Sequence, residues 1–206
     1  MDGDTVTLRE ALRDHLEESG FPADLGNTER WVTIRIGPIP FCLPNLPIRQ
    51  RAMLPHDLNH VVSGYGHDLV GESEVGASEI GGGCGRFLAA WVLAWSVITP
   101  GAVVAPKRIF DAFVRGRHTG NLFSRDLDSL LERTVPQVQA ELALDRPHVA
   151  TISDRMVFVV VVVSAPVVAA LPGLFSLATS PWWLAQRAYR SRRPTSPGQH
   201  TARGGR

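Results

Sequence analysis

The chain has 206 residues, 44% hydrophobic and 20% charged, enough for one domain with a buried core plus a tail. Lys+Arg 21 against Asp+Glu 20 leaves a net charge of +1, so no global basic surface argues for nucleic acid. Two cysteines, Cys42 and Cys84, are too few for a disulfide framework and predict a reduced, intracellular setting.

The opening MDGDTVTLRE has no basic n-region and no apolar h-region, so no secretory signal is expected. Thr7 and Glu10 form a T-x-x-E capping box, and Leu8, Leu12 and Leu16 share one helical face. Gly20 and Pro22 supply the stop. Trp31–Ile36 is β-branched and aromatic, followed by the turn pair Gly37-Pro38, which predicts a short hairpin or an extended arm. Pro38, Pro40 and Pro44 exclude a central strand.

A helical segment carries HDLNH, and another begins near Leu69 and runs past Glu79. GGGCG at 81–85 interrupts it. Phe87–Ile98 is an apolar helix expected to stop near Pro100. At roughly 12 residues it suits a core helix, or one wall of an apolar tunnel, better than a membrane span. Arg108–Val114 reads as a short helical piece and GRHTGNLFS as a loop. Asp126–Arg133 and Pro136–Leu144 follow as one broken helix or two consecutive ones, with Thr134 able to cap the second. LDRP at 144–147 closes the domain.

Met156–Ala178 is apolar and uncharged, roughly 20 residues and so of spanning length. Trp182 and Trp183 stand at an interface-like position before RAYRSRR, and no acid follows Asp154. The arginines from Arg187 to Arg193 place that flank in the cytoplasm. A hairpin bending at Pro166 or at Pro172-Gly173, or a helix lying in the membrane plane, keeps the preceding domain on the same side. The expected fold class is mainly α. A helical domain covers 1–148, an apolar membrane-associated segment 149–190, and a basic disordered tail 191–206.

The densest polar stretch is HDLNHVVSGYGHDLVGE, from His56 to Glu72. On a helix His56 and His60 are i and i+4 and share a face. Asp57 lies three residues before His60 and can flank it. Glu72 is twelve residues beyond His60, roughly 18 Å along a continuous helix at about 1.5 Å per residue. A reversal is therefore required. Gly64-Tyr65-Gly66 can make it, and Gly71 permits close approach beside Glu72. Two imidazoles with one or two carboxylates suit Zn²⁺, Fe²⁺ or Mn²⁺ without choosing among them. An open coordination position would present the ion to a substrate. His67-Asp68 repeats the His-Asp pair inside the turn, but nothing four residues on completes it. It is expected to face solvent or stand behind the ligands. Glu74 points away from Glu72. Glu79, seven residues after Glu72, lies on its face, where it either lines the same cavity or is a solvated or capping acid.

HDLNH followed by eleven residues and Glu72 resembles the HDxxHx11E signature of the Coq4 family of coenzyme Q biosynthesis. The Gly-Tyr-Gly after HDLNH, Gly71-Glu72 and the stretch FVRGRHTGNLFSRDLDSLLERTVPQVQAEL are similar to the same family. The resemblance runs from about Arg30 to Leu144. It implies a mostly helical domain holding a divalent ion, usually zinc, on His56, Asp57, His60 and Glu72. It also implies membrane association and a late step of ubiquinone assembly. That step is either organising other quinone-biosynthesis enzymes around a prenylated precursor, or removing the ring carboxyl group oxidatively with hydroxylation at that carbon. A redox role favours iron or manganese, because zinc has no redox chemistry. The Ala-, Val- and Arg-heavy composition suggests a GC-rich bacterial coding sequence, which widens the expected lipid to other isoprenoids. For an enzyme, Glu79 and His67 are the nearest candidates for proton transfer; no other catalytic residue stands out. The alternative is a non-catalytic helical scaffold or lipid-binding module with a structural metal. A zinc hydrolase has less support, since HDxxH lacks the glutamate base of HExxH. The expected location is the cytoplasmic face of the membrane, attached through the apolar segment.

Overall fold

The computed structural model describes residues 6–19, 28–36 and 39–191. The expected helix stop at Gly20 and Pro22, the turn Gly37-Pro38 and the basic tail from 192 onward lie outside the described residues. What is described is mainly helical: α1 (Leu8–Ser19), α2 (Pro47–Ser63), α3 (Leu69–Gly82), α4 (Leu88–Val104), α5 (Pro106–His118), α6 (Leu127–Leu131), α7 (Val135–Glu141) and α8 (Ile152–Ser191). Two strands, β1 (Trp31–Ile36) and β2 (Ile39–Pro44), pair antiparallel with Trp31 opposite Pro44 and Ile36 opposite Ile39.

α1 begins where its capping box places it. Thr7 Oγ1 and the Thr7 amide both donate to Glu10 Oε2, at 2.8 and 3.0 Å. Its stripe packs into one core cluster with Leu58 and Val62 of α2, Leu130 and Leu131 of α6, and Val138 of α7. Burying each leucine there contributes about 1.5–3 kcal/mol. A second cluster joins α3, α4, α5 and α8 through Ala77, Ala94, Ile98, Ile109, Phe113 and Val161. α2 and α3 meet between the two clusters, and that junction carries the polar stretch.

Several elements run longer than the sequence predicts, and packing is the reason. α4 continues through Pro100 to Val104. The ring forfeits one helical hydrogen bond, but the next residue, Gly101, lies against α3. A Cβ on Gly101 would stand 2.2 Å from Ser73 Cβ, and Ser73 Oγ donates to the Val97 carbonyl at 2.7 Å. α5 extends into the expected loop as far as His118. Its Gly116 is a contact residue rather than a breaker, since a Cβ there would lie 2.0 Å from Ser78 O of α3. α6 and α7 are shorter than expected, the latter opened by a Thr134–Gln137 capping box.

α8 is one continuous helix of 40 residues. Of the two arrangements expected for this segment, the hairpin bend at Pro166 or Pro172-Gly173 does not occur, and a single unbent helix does. The helix is instead one rod of about 60 Å at 1.5 Å per residue. Over Ile152–Phe175 it is long and apolar enough to cross a membrane. One face docks on the domain: Val161 and Ala165 are buried, and Trp95 Nε1 donates to the Val161 carbonyl at 3.0 Å. The opposite face, with Met156, Val160, Val163, Val167, Leu171 and Leu174, is exposed. Farther along, Trp182 meets Trp31 edge-on at 6.5 Å.

Candidate metal centre

The reversal between His60 and Glu72 is built from three local devices. Gly64 closes α2 in the left-handed region (φ 75°), its amide bonding to His60 O at 2.9 Å. Asp68 caps α3 by accepting from the Gly71 amide at 2.7 Å. Gly71 then touches the turn itself, since a Cβ there would lie 2.1 Å from Gly66 O. With these in place, the first turn of α3 returns to the side of α2 that bears His56 and His60.

Glu72 ends up among three imidazoles. Its Oε2 is 3.6 Å from His56 Nε2, and its Oε1 is 3.7 Å from His60 Nε2 and 3.6 Å from His67 Nδ1. These spacings exceed good hydrogen bonds. They match two donors sharing one ion: ligands at about 2.0–2.1 Å on a tetrahedral centre sit roughly 3.3 Å apart. His56, His60 and Glu72 offer ligand atoms within 4.8 Å of one another, and so do His15, His60 and His67.

The imidazoles are fixed from behind. His60 is 1% exposed, and its Nδ1–H donates to the Tyr65 carbonyl at 3.1 Å. That bond puts the lone pair on Nε2, which is buried and has no hydrogen-bond partner in the structure. His56 Nδ1 lies 2.9 Å from Oε1 of Glu79, itself 2% exposed. The same oxygen accepts from Asn59 Nδ2 at 3.1 Å, and Asn59 Oδ1 accepts from the Leu122 amide at 3.2 Å. This carboxylate–imidazole pairing behind a ligand is the usual support of metal-bound histidine.

Burial disfavours charge on His56, but Glu79 and Glu72 outweigh it and raise its pKa well above 6.5. Burial opposes ionising Glu72 as well, yet His56, His60 and His67 hold its carboxyl far below the usual range. Burial, with His67 and His60 adding to it, lowers His15 to about 4.

The sequence-expected residues divide as follows. His56, His60 and Glu72 are brought together. Asp57 is buried at 7% exposure but belongs to neither ligand trio. One step from His56 on the same helix, it leaves the His56–His60 face, and burial pushes its carboxyl pKa up. His67, expected to face solvent or stand behind the ligands, lies 3.6 Å from Glu72 Oε1 and groups with His15 and His60. Glu79 is buried behind His56 rather than solvated. Glu74 points away, paired with Arg108 at 2.6 and 2.9 Å. Sequence reasoning missed two residues. Asn59, three after His56, shares its face. His15 follows Leu12 by three and Leu8 by seven, and so borders the buried stripe of α1.

No protein-family model, curated protein or solved structure matches this chain. The site therefore stands on its own geometry. The donor set, imidazole nitrogen with one carboxylate, fits a borderline divalent transition ion better than Mg²⁺ or Ca²⁺. The buried, partnerless Nε2 of His60 is the atom such an ion would satisfy. Glu72, whose side chain is 34% accessible, leaves one side of the cluster open to an incoming ligand.

Proposed function

We propose that this chain is a membrane-attached, metal-dependent protein of Coq4 type that acts on or presents the ring of a prenylated quinone precursor. His56, His60 and Glu72 would hold the ion, zinc by the resemblance and iron or manganese if the step is oxidative. The resemblance would add Asp57 as a fourth ligand, but its carboxylate stands outside both trios. The observation that carries the reading is the buried, partnerless Nε2 of His60, aimed at Glu72 and locked in that tautomer by Tyr65. When bound, the ion supplies Lewis acidity toward a ring oxygen or carboxylate. Of this chain's own groups, Glu72 and His67 face the open side, whereas Glu79 holds His56 from behind and is shielded from substrate. The exposed stripe of α8 suits a helix half-sunk in the membrane plane, because its other face is occupied by α4 and α5. Attachment from the cytoplasmic face follows from the arginines after Trp183.

A non-catalytic scaffold is the second reading. It is favoured by the distribution of the cluster over α1, α2 and α3, since an ion there would staple helices together. Elemental analysis of the purified chain, followed by His60→Ala, tests both. Loss of metal and of lipid conversion with the fold intact supports the enzyme. Loss of the fold supports the scaffold. A wild-type chain that binds no divalent ion ends the central claim.

A further inference from the structure

The motif accounts for one ligand trio; the other contains a residue from a different helix. We infer that His15 of α1 is a ligand of the same ion, which thereby ties α1 to α2 and α3. The inference rests on the metal-centre reading.

Four observations carry it. His15, His60 and His67 present ligand atoms within 4.8 Å of one another. His67 links the two trios, with Nε2 3.3 Å from His15 Nδ1 and Nδ1 3.6 Å from Glu72 Oε1. His15 Nε2 is buried without a hydrogen-bond partner, as is His60 Nε2. Two orphaned imidazole nitrogens in one cluster are costly unless something binds there. Finally, both trios share His60, whose Nδ1 is committed to Tyr65. Its single remaining lone pair serves one ion, so the trios describe one centre and not two. One centre would then draw on five side chains, a shell larger than tetrahedral. An imidazole-rich set of this kind selects Zn²⁺, Co²⁺ or Ni²⁺ over Mg²⁺.

The consequence is mechanical. α1 otherwise reaches the rest of the domain through its leucine stripe, the Leu8 amide bonded to the Arg133 carbonyl at 2.8 Å, and the Arg9–Glu132 ion pair, whose partners are largely exposed. Metal would add a bond between the N-terminal helix and the core, and amide exchange in α1 should slow when Zn²⁺ is added.

The test uses the full-length chain and Zn²⁺ or Co²⁺ alone. His15→Ala is expected to weaken Zn²⁺ by at least about tenfold in chelator competition, to change the Co²⁺ d–d bands, and to regain affinity when free imidazole is supplied. Leu12→Ala, which loosens the same helix without touching an imidazole, should leave the Co²⁺ bands unchanged. The inference is overturned if His15→Ala matches wild type in affinity and spectrum, or if Leu12→Ala weakens Zn²⁺ equally. It is also overturned if imidazole restores nothing, or if wild type holds two ions per chain. A wild type that holds none overturns the metal centre along with it; normal wild-type binding with an unaffected His15→Ala overturns this inference alone.

Discussion

Glu79 of α3 meets His56 of α2 with Oε1 2.9 Å from Nδ1, in a position only 2% exposed. A carboxylate so placed orients the ring, directs Nε2 toward Glu72 and raises the basicity of the ligand. Glu79→Gln keeps the size and loses the charge. It should weaken Zn²⁺ about tenfold to a hundredfold with a modest change in melting temperature. Glu79→Ala should cost more stability, since it strips Asn59 and His56 of a buried partner. Zinc affinity and thermal unfolding of the two variants check this. An unchanged affinity in both would show that Glu79 does not position His56.

The same charges set a pH dependence for the metal-free chain. His56 has a folded pKa above its ordinary 6.5, so its contribution to stability is complete below pH 6.5 and is lost as pH rises through the folded value. Glu72 has a folded pKa below its ordinary 4.5, so its contribution is complete above pH 4.5 and is lost as pH falls. Metal-free stability from this pair should therefore peak between pH 4.5 and 6.5. Zn²⁺ must displace the proton from His56, so its affinity should rise with pH across the neutral range. Melting temperature against pH without metal, and zinc titration calorimetry in buffers of different protonation enthalpy, measure the two trends. A buffer-independent binding heat at neutral pH would contradict the assignment.

Much of this centre is legible in the sequence because local rules govern it. The i, i+4 pair His56 and His60 and the glycine turn each act within a few residues of chain, whereas Asp68, expected to face solvent or stand behind the ligands, caps α3. Glu72 returns because the turn chemistry permits it. What is not legible depends on distant contacts. Gly116 and Pro100 look like breakers, yet Ser78 and Ser73 pack against α5 and α4 where only small groups fit. His15 lies more than forty residues before His56, and only the docking of α1 brings it to His60. His67 looks like turn decoration until Glu72 and His15 stand on either side of it. The prolines of α8 suggest a hairpin, but packing of its first half on α4 keeps the rod intact.

Gly71 tests the turn directly. A methyl group there would stand 2.1 Å from Gly66 O, a backbone atom that cannot rotate away. Gly71→Ala should push α3 off the turn and cost roughly 1–3 kcal/mol by overpacking. Because Glu72 is the next residue, zinc affinity should fall as well. Denaturant unfolding and chelator competition on the same variant report both quantities. Loss of stability with unaltered zinc affinity would separate the turn from the centre.

Membrane attachment is best tested without shortening the chain, because α8 contributes Val161 and Ala165 to the core. Val163 and Val167 lie on the opposite face, each 72% exposed. Replacing both with Glu leaves every buried contact in place and puts two charges on the surface proposed to enter the bilayer. A charge at such depth costs up to about 2.5–3.5 kcal/mol, and less near the headgroups. The double variant should therefore bind vesicles at least about tenfold more weakly than wild type in flotation, with an unaltered helical spectrum and unaltered zinc affinity. Equal flotation would move the attachment surface elsewhere on the molecule. Weaker flotation with lost zinc would mean that α8 supports the fold rather than the membrane contact.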